Sequence, residues 1–184
     1  MFAGLKDYWS KQIRPRQKEL AREGVVWLAA SSGLLVGLTL AFLKPFQDRV
    51  INILLGFLTY DAIVLGFCLT ASIFALSIPD VALKTKMATT IDPKDGRDPY
   101  TDLVFMFTWA SLMHLISAML TLGLLGALGF ASNVEFLNSA CVWATLGGLY
   151  TAVVVYGATQ FLAALVTVSQ VGEVIIADLR KPPP

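Results

Sequence analysis

The sequence predicts an all-α integral membrane protein with four transmembrane helices, both termini on the inner side, and a short amphipathic helix at the N-terminus. Three observations carry this. The chain has 184 residues, 56% hydrophobic and only 15% charged, against roughly 25% charged in a soluble domain, and its mean hydropathy is +0.68. Apolar stretches recur near 25–43, 52–78, 103–130 and 139–171, and about 20 helical residues cross a ~30 Å hydrocarbon core. They do not alternate as membrane strands do. The third observation is the placement of lysine and arginine. Lys6, Lys11, Arg14, Arg16, Lys18 and Arg22 precede the first stretch, Lys84, Lys86, Lys94 and Arg97 lie between the second and third, and Arg180 and Lys181 follow the fourth. The opposite side holds only Lys44 and Arg49. Basic residues in short loops mark the cytoplasmic face, so both ends are expected inside.

Residues 1–23 form a basic N-terminal segment. Phe2, Leu5, Trp9 and Ile13 recur at helical spacing, as in a helix lying on the inner surface among anionic lipids, and Pro15 ends or bends it. Because this segment is polar and the first apolar run is long enough to span, no cleavable signal peptide is expected.

Residues 24–78 make the first transmembrane hairpin. Its opening span contains Gly33-x-x-x-Gly37, a spacing that permits close helix approach. Its second run is longer than a bilayer needs and carries Asp61 within "GFLTYDAIVLGF". Counting ~20 residues back from Pro79 puts the outer boundary near residue 59. Asp61 would then reach water, with 46–58 as separate helical turns on the outer surface. Alternatively the helix is long and Asp61 lies deeper. There it shares a face with Cys68, Ser72 and Ala75, turned to the bundle interior or to another subunit.

Residues 79–102 are expected to be a cytoplasmic loop. Asp92, Asp95 and Asp98 are spaced by three, which does not suit a calcium loop with ligands at every second position. Asp98 is instead expected to be the N-cap of the third span, with Pro99 at its first position and Asp102 in its first turn.

The second hairpin, 103–171, contains His114, mid-way in its first span. Its second span has Ala140, Ala144, Gly148 and Ala152 at every fourth residue, a small-residue packing ladder that Gln160 and Ala164 extend. Residues 172–184 form a cytoplasmic tail.

The chemistry absent from the sequence narrows function further. One histidine, His114, cannot by itself build a multi-histidine metal site or a bis-histidine haem site. Cys68 and Cys141 fall at different depths and form no redox motif. No phosphate loop, dinucleotide fingerprint or nucleophile motif is present. The expectation is a non-enzymatic protein without a cofactor, catalytic residue or metal. Its basic N-terminus is too short and too close to the membrane to read nucleic acid.

The stretches "GFCLTASIFALSIPD", "DLVFMFTWASLMHLIS" and "LGGLYTAVVVYGATQFLAALV", with a charged segment between the first two, resemble small four-span bacterial membrane proteins encoded beside soluble partners. The membrane subunit of the Kiwa antiphage system is of this kind. The likeness covers the whole chain in size and topology and rests on no residue-level motif, so no functional residue is carried over. It implies an inner-membrane homo-oligomer that senses a membrane event and docks a cytosolic effector.

The expected function is therefore a homo-oligomeric sensor or anchor in a bacterial inner membrane, whose partners are lipids, further copies of itself and a cytosolic protein. Lys84, Lys86, Lys94 and Arg97 are the expected docking residues. Gly33, Gly37, Ala144, Gly148 and Ala152 are the expected packing or oligomer residues. The alternative is a small oligomeric channel in which Asp61, His114 or Gln160 repeats as a ring around a pore. A substrate carrier has less support, since neither an inverted repeat nor a span broken by Gly or Pro is recognisable.

Overall fold

The computed structural model describes residues 10, 13–16, 24–42, 47–77, 81–89, 97–130 and 140–179, and these are almost entirely helical. The helices are α1 (Gly24–Phe42), α2 (Gln47–Leu76), α3 (Val81–Thr89), α4 (Pro99–Phe130) and α5 (Ala140–Leu179). Three contain stretches long and apolar enough to cross a membrane: Val50–Leu76, Pro99–Leu128 and Cys141–Glu173. A shorter apolar helix covers Gly24–Thr39. This is consistent with a multi-pass membrane protein.

Local chemistry explains these elements. Their interiors are rich in Leu, Ala, Phe and Val, and their hydroxyl residues bond to their own helix. Thr39, Thr70, Ser72, Thr108, Ser111 and Thr167 each donate to the carbonyl four residues earlier, at 2.8–3.0 Å. A hydroxyl satisfied in this way needs no water, which suits an apolar setting. Asp98 caps α4 as its position predicts. The amide of Thr101 donates to Asp98 Oδ1 at 2.7 Å, the amide of Asp102 donates to the Asp98 carbonyl at 3.1 Å, and Pro99 is the first helical residue.

Three expectations about extents change. α2 is one continuous helix of 30 residues from Gln47, so 47–58 do not stand apart as surface turns. Residues 79–102 are not loop throughout. α3 occupies nine of them, because Ala, Leu, Lys and Met are good helix formers and Met87 is buried in a core that holds it there. The tail expected from 172 continues α5 to Leu179. Most of the N-terminal amphipathic segment lies outside the described residues. Within it, Ile13 and Arg16 are buried.

The chain divides into two compact units, and α2, α4 and α5 each supply a part to both. Unit 1 comprises 1–58 and 116–156. Its core is Leu54, Leu128, Tyr150 and Val154, packed by Phe57, Leu124 and Trp143. The ring of Phe57 meets that of Tyr150 edge-on at 5.9 Å, and the hydroxyls of Tyr150 and Thr121 lie 2.9 Å apart. Here α1 also crosses α5. A Cβ added at Gly33 would stand 2.5 Å from the Gly148 carbonyl oxygen and 2.9 Å from Ala152 Cβ, and one at Gly37 would stand 2.8 Å from the Ala144 carbonyl oxygen. The small residues let the two backbones touch, and dispersion over that contact holds the crossing together.

Unit 2 comprises 59–115 and 157–184. Its core is Val64, Cys68, Ala75, Met87, Leu103, Phe107, Ala110 and Ala164. In α4, Leu103, Phe105, Phe107, Trp109 and Ala110 are all buried, so this stretch is covered on more than one face. Phe105 stacks on Trp109 at 6.1 Å. Lys84 of α3 donates from Nζ to the Leu76 carbonyl at 3.2 Å and lies 5.3 Å from the centre of the Tyr100 ring. It thereby satisfies the C-terminal end of α2 and ties it to α3 and the first turn of α4.

Candidate functional site

The candidate site is a polar cluster inside unit 2. Asp61 belongs to the buried face of α2 with Val64, Cys68 and Ala75, residues spaced by three, four and seven so that they share one side of a helix. His114 belongs to the buried face of α4 below Phe107, Ala110 and Ser111. The two faces meet, and His114 Nδ1 lies 2.7 Å from Asp61 Oδ1. With Asp61 as carboxylate, the Nδ1–H donates and leaves Nε2 at the far edge of the ring. Each side chain retains about 1% of its exposure.

The walls are aromatic and small. The Tyr60 ring approaches the imidazole edge-on at 5.5 Å, and Phe161 of α5 does so at 6.3 Å. Gly157 of α5 also faces the ring. A Cβ there would stand 3.5 Å from Cε1, 3.6 Å from Nε2 and 3.8 Å from Nδ1. That near-equal spacing puts Gly157 over the face of the imidazole. Gln160, one turn further along α5, is 2% exposed. Cys68 and Ser111 are buried in the same unit, and the Ser111 hydroxyl donates to the Phe107 carbonyl.

Three atoms of this cluster are buried with no hydrogen-bond partner among the described residues: Asp61 Oδ2, His114 Nε2 and Gln160 Nε2. The cluster can hold a proton or a small polar guest. Among the described residues no group of three His, Cys, Asp or Glu side chains is placed to hold a metal.

The structure thus brings Asp61 and His114 into contact and buries Gln160 in the same unit. The solvent-reaching position considered for Asp61 does not match its burial. The continuous α2 turns the carboxylate onto α4, where an imidazole replaces water as its partner. Gly33, Gly37, Ala144, Gly148 and Ala152 come together at the α1–α5 crossing within one chain, which occupies the face otherwise available to a second copy. The side chain of Ala140 lies outside the described residues. Of the expected docking residues, Lys84 is engaged with Leu76 and Tyr100, Lys86 is exposed on α3, Arg97 is half-buried just before α4, and Lys94 lies outside the described residues. Sequence reasoning does not reach Tyr60, Gly157 or Phe161. The one signal pointing to Gly157 is its spacing of three from Gln160, which puts a glycine and an intramembrane amide on one helix face.

Compared with known proteins, the chain matches no family model, no curated protein and no solved structure.

Proposed function

We propose that this chain is a non-enzymatic sensor and anchor of a bacterial inner membrane, with four spans and both ends in the cytoplasm, that self-associates and docks a cytosolic protein, in keeping with its resemblance to an antiphage membrane subunit. One observation carries this reading over the pore: Asp61, His114 and Gln160 are 1%, 0% and 2% exposed within a single chain. A pore between subunits needs its polar ring on a surface that faces the lumen. Here those side chains are enclosed by helices of their own subunit, and many large apolar residues of α1 and α2 are exposed, among them Trp27, Leu34, Leu35, Ile63, Ile73 and Phe74. Such a surface suits lipid tails. Self-association would use part of it, since the small-residue face is occupied.

The twelve-to-two distribution of lysine and arginine supports the topology. On it, α3 with Lys86 and the segment leading into α4 face the cytosol, and a contact built on their charges is polar and salt-sensitive. The test has two arms, both on protein whose membrane insertion is verified. In planar bilayers the purified protein should give no unitary conductance. In cells, Lys86→Glu with Arg97→Glu should weaken recovery of a cross-linked cytosolic protein, with membrane level unchanged. Unitary currents abolished by Asp61→Asn, with recovery unaffected by the charge reversal, would overturn the anchor reading in favour of the channel.

A further inference from the structure

The orphan atoms of the cluster are chemically complementary. Asp61 Oδ2, as a carboxylate oxygen, only accepts. Gln160 Nε2 only donates. His114 Nε2 does either, according to whether it carries a proton. All three are buried without a protein partner among the described residues, and each such orphan costs about 1–3 kcal/mol. An apolar guest relieves none of them. A guest that donates to one and accepts from another relieves them together, and water does both at the smallest size.

Gly157 meets the ring with backbone alone, a Cβ there standing 3.5–3.8 Å from Cε1, Nε2 and Nδ1, and Tyr60 and Phe161 pack edge-on against it at 5.5 and 6.3 Å between ring centres. Gly157 and Phe161 of α5 both meet the imidazole, and Gln160, three residues from one and next to the other, is buried on the same stretch of helix.

We propose that Asp61, His114 and Gln160 form an internal water-binding site in unit 2, in which bound water bridges Asp61 Oδ2, His114 Nε2 and the Gln160 amide. Three protein groups fall within the ~2–4 hydrogen bonds that buried waters make. The site has a chemical consequence. With the ring proton on Nδ1, toward Asp61, the water donates to Nε2; with the proton on Nε2 the water accepts from it. This inference is independent of the anchor reading.

His114 is the only histidine in the chain, so its ring nitrogens are unambiguous in the full-length protein. The experiment is solid-state NMR on histidine-¹⁵N-labelled, amide-labelled protein in lipid bilayers, measuring magnetisation transfer from water protons. Transfer to Nε2 should build up at least about threefold faster than to the backbone amides of Ala110 and Ala164, both wholly buried. In Gln160→Met, close in volume and without the amide, the build-up at Nε2 should slow by about twofold or more. Transfer to Nε2 no faster than to those two amides would overturn the proposal and mean that the cluster is dry. An unchanged build-up in a folded Gln160→Met protein would overturn it as well, by removing Gln160 from the site.

Discussion

His114 Nδ1 meets Asp61 Oδ1 at 2.7 Å across a sequence separation of 53 residues, and neither side chain keeps more than about 1% of its exposure. This bond joins α2 to α4 inside unit 2. Removing one partner strands the other in an apolar environment, where an unpaired polar group costs about 1–3 kcal/mol.

Asp61→Ala and His114→Ala should therefore each destabilise the protein by about 1–3 kcal/mol. The double variant should lose less than the sum, with a coupling of about 1 kcal/mol, in the range measured for hydrogen bonds between membrane helices. Reversible unfolding in mixed micelles checks this. Additive losses would mean that the two side chains do not act as a pair.

Gly33→Ala and Gly66→Ala should have opposite effects. At Gly33 the new methyl meets the Gly148 carbonyl oxygen and Ala152 Cβ, so α1 must move away from α5, at about 1–3 kcal/mol for such overpacking. At Gly66 nothing lies within 4 Å, and alanine should stabilise the helix by about 0.5–1 kcal/mol. Thermal unfolding of the two variants side by side is the check. If both proved neutral, α1 and α5 would not be in backbone contact.

The sequence made parts of this structure legible and hid others for physical reasons. The long helices follow from apolar length alone. Asp98 as a cap follows from its place before Pro99. Asp61, His114 and Gln160 stand out because polar groups are rare in such runs. Their pairing does not follow, because it depends on the rotation of α2 and the register of α4, which several packed faces set together. The small-residue row shows that some helix comes close, but not whether that helix belongs to the same chain. α3 was hidden because nine residues leave too short a pattern, and the burial of Met87 decides it.

Lys84 holds the end of α2 through the Leu76 carbonyl and lies against Tyr100. Lys84→Ala should lower global stability by no more than about 1 kcal/mol. Amide hydrogen exchange in 81–89 should rise several-fold, since the lysine ties α3 to its neighbours. Exchange in α3 matching the wild type would mean that Met87 alone secures it.

The twelve-to-two distribution of basic residues predicts that a reporter active only in the periplasm, fused after Pro184, gives no signal, whereas a reporter active in the cytosol does. A strong periplasmic signal would reverse the assignment of α3 and its charges to the cytosolic face.

Asp61 and His114 close on each other within one chain, and isotopic dilution tests this most directly. Protein carrying ¹³C-aspartate and ¹⁵N-histidine, diluted with an excess of unlabelled chain before reconstitution from a dissociated state, is measured by ¹³C–¹⁵N through-space NMR in bilayers. A 2.7 Å bond from Nδ1 to Oδ1 places Asp61 Cγ about 3.5 Å from Nδ1, which should give a strong cross-peak whose intensity per labelled chain is unchanged by dilution. No cross-peak, or one that fades in proportion to dilution, would contradict the account. Fading would place the contact between subunits, where a ring of these residues can line a pore.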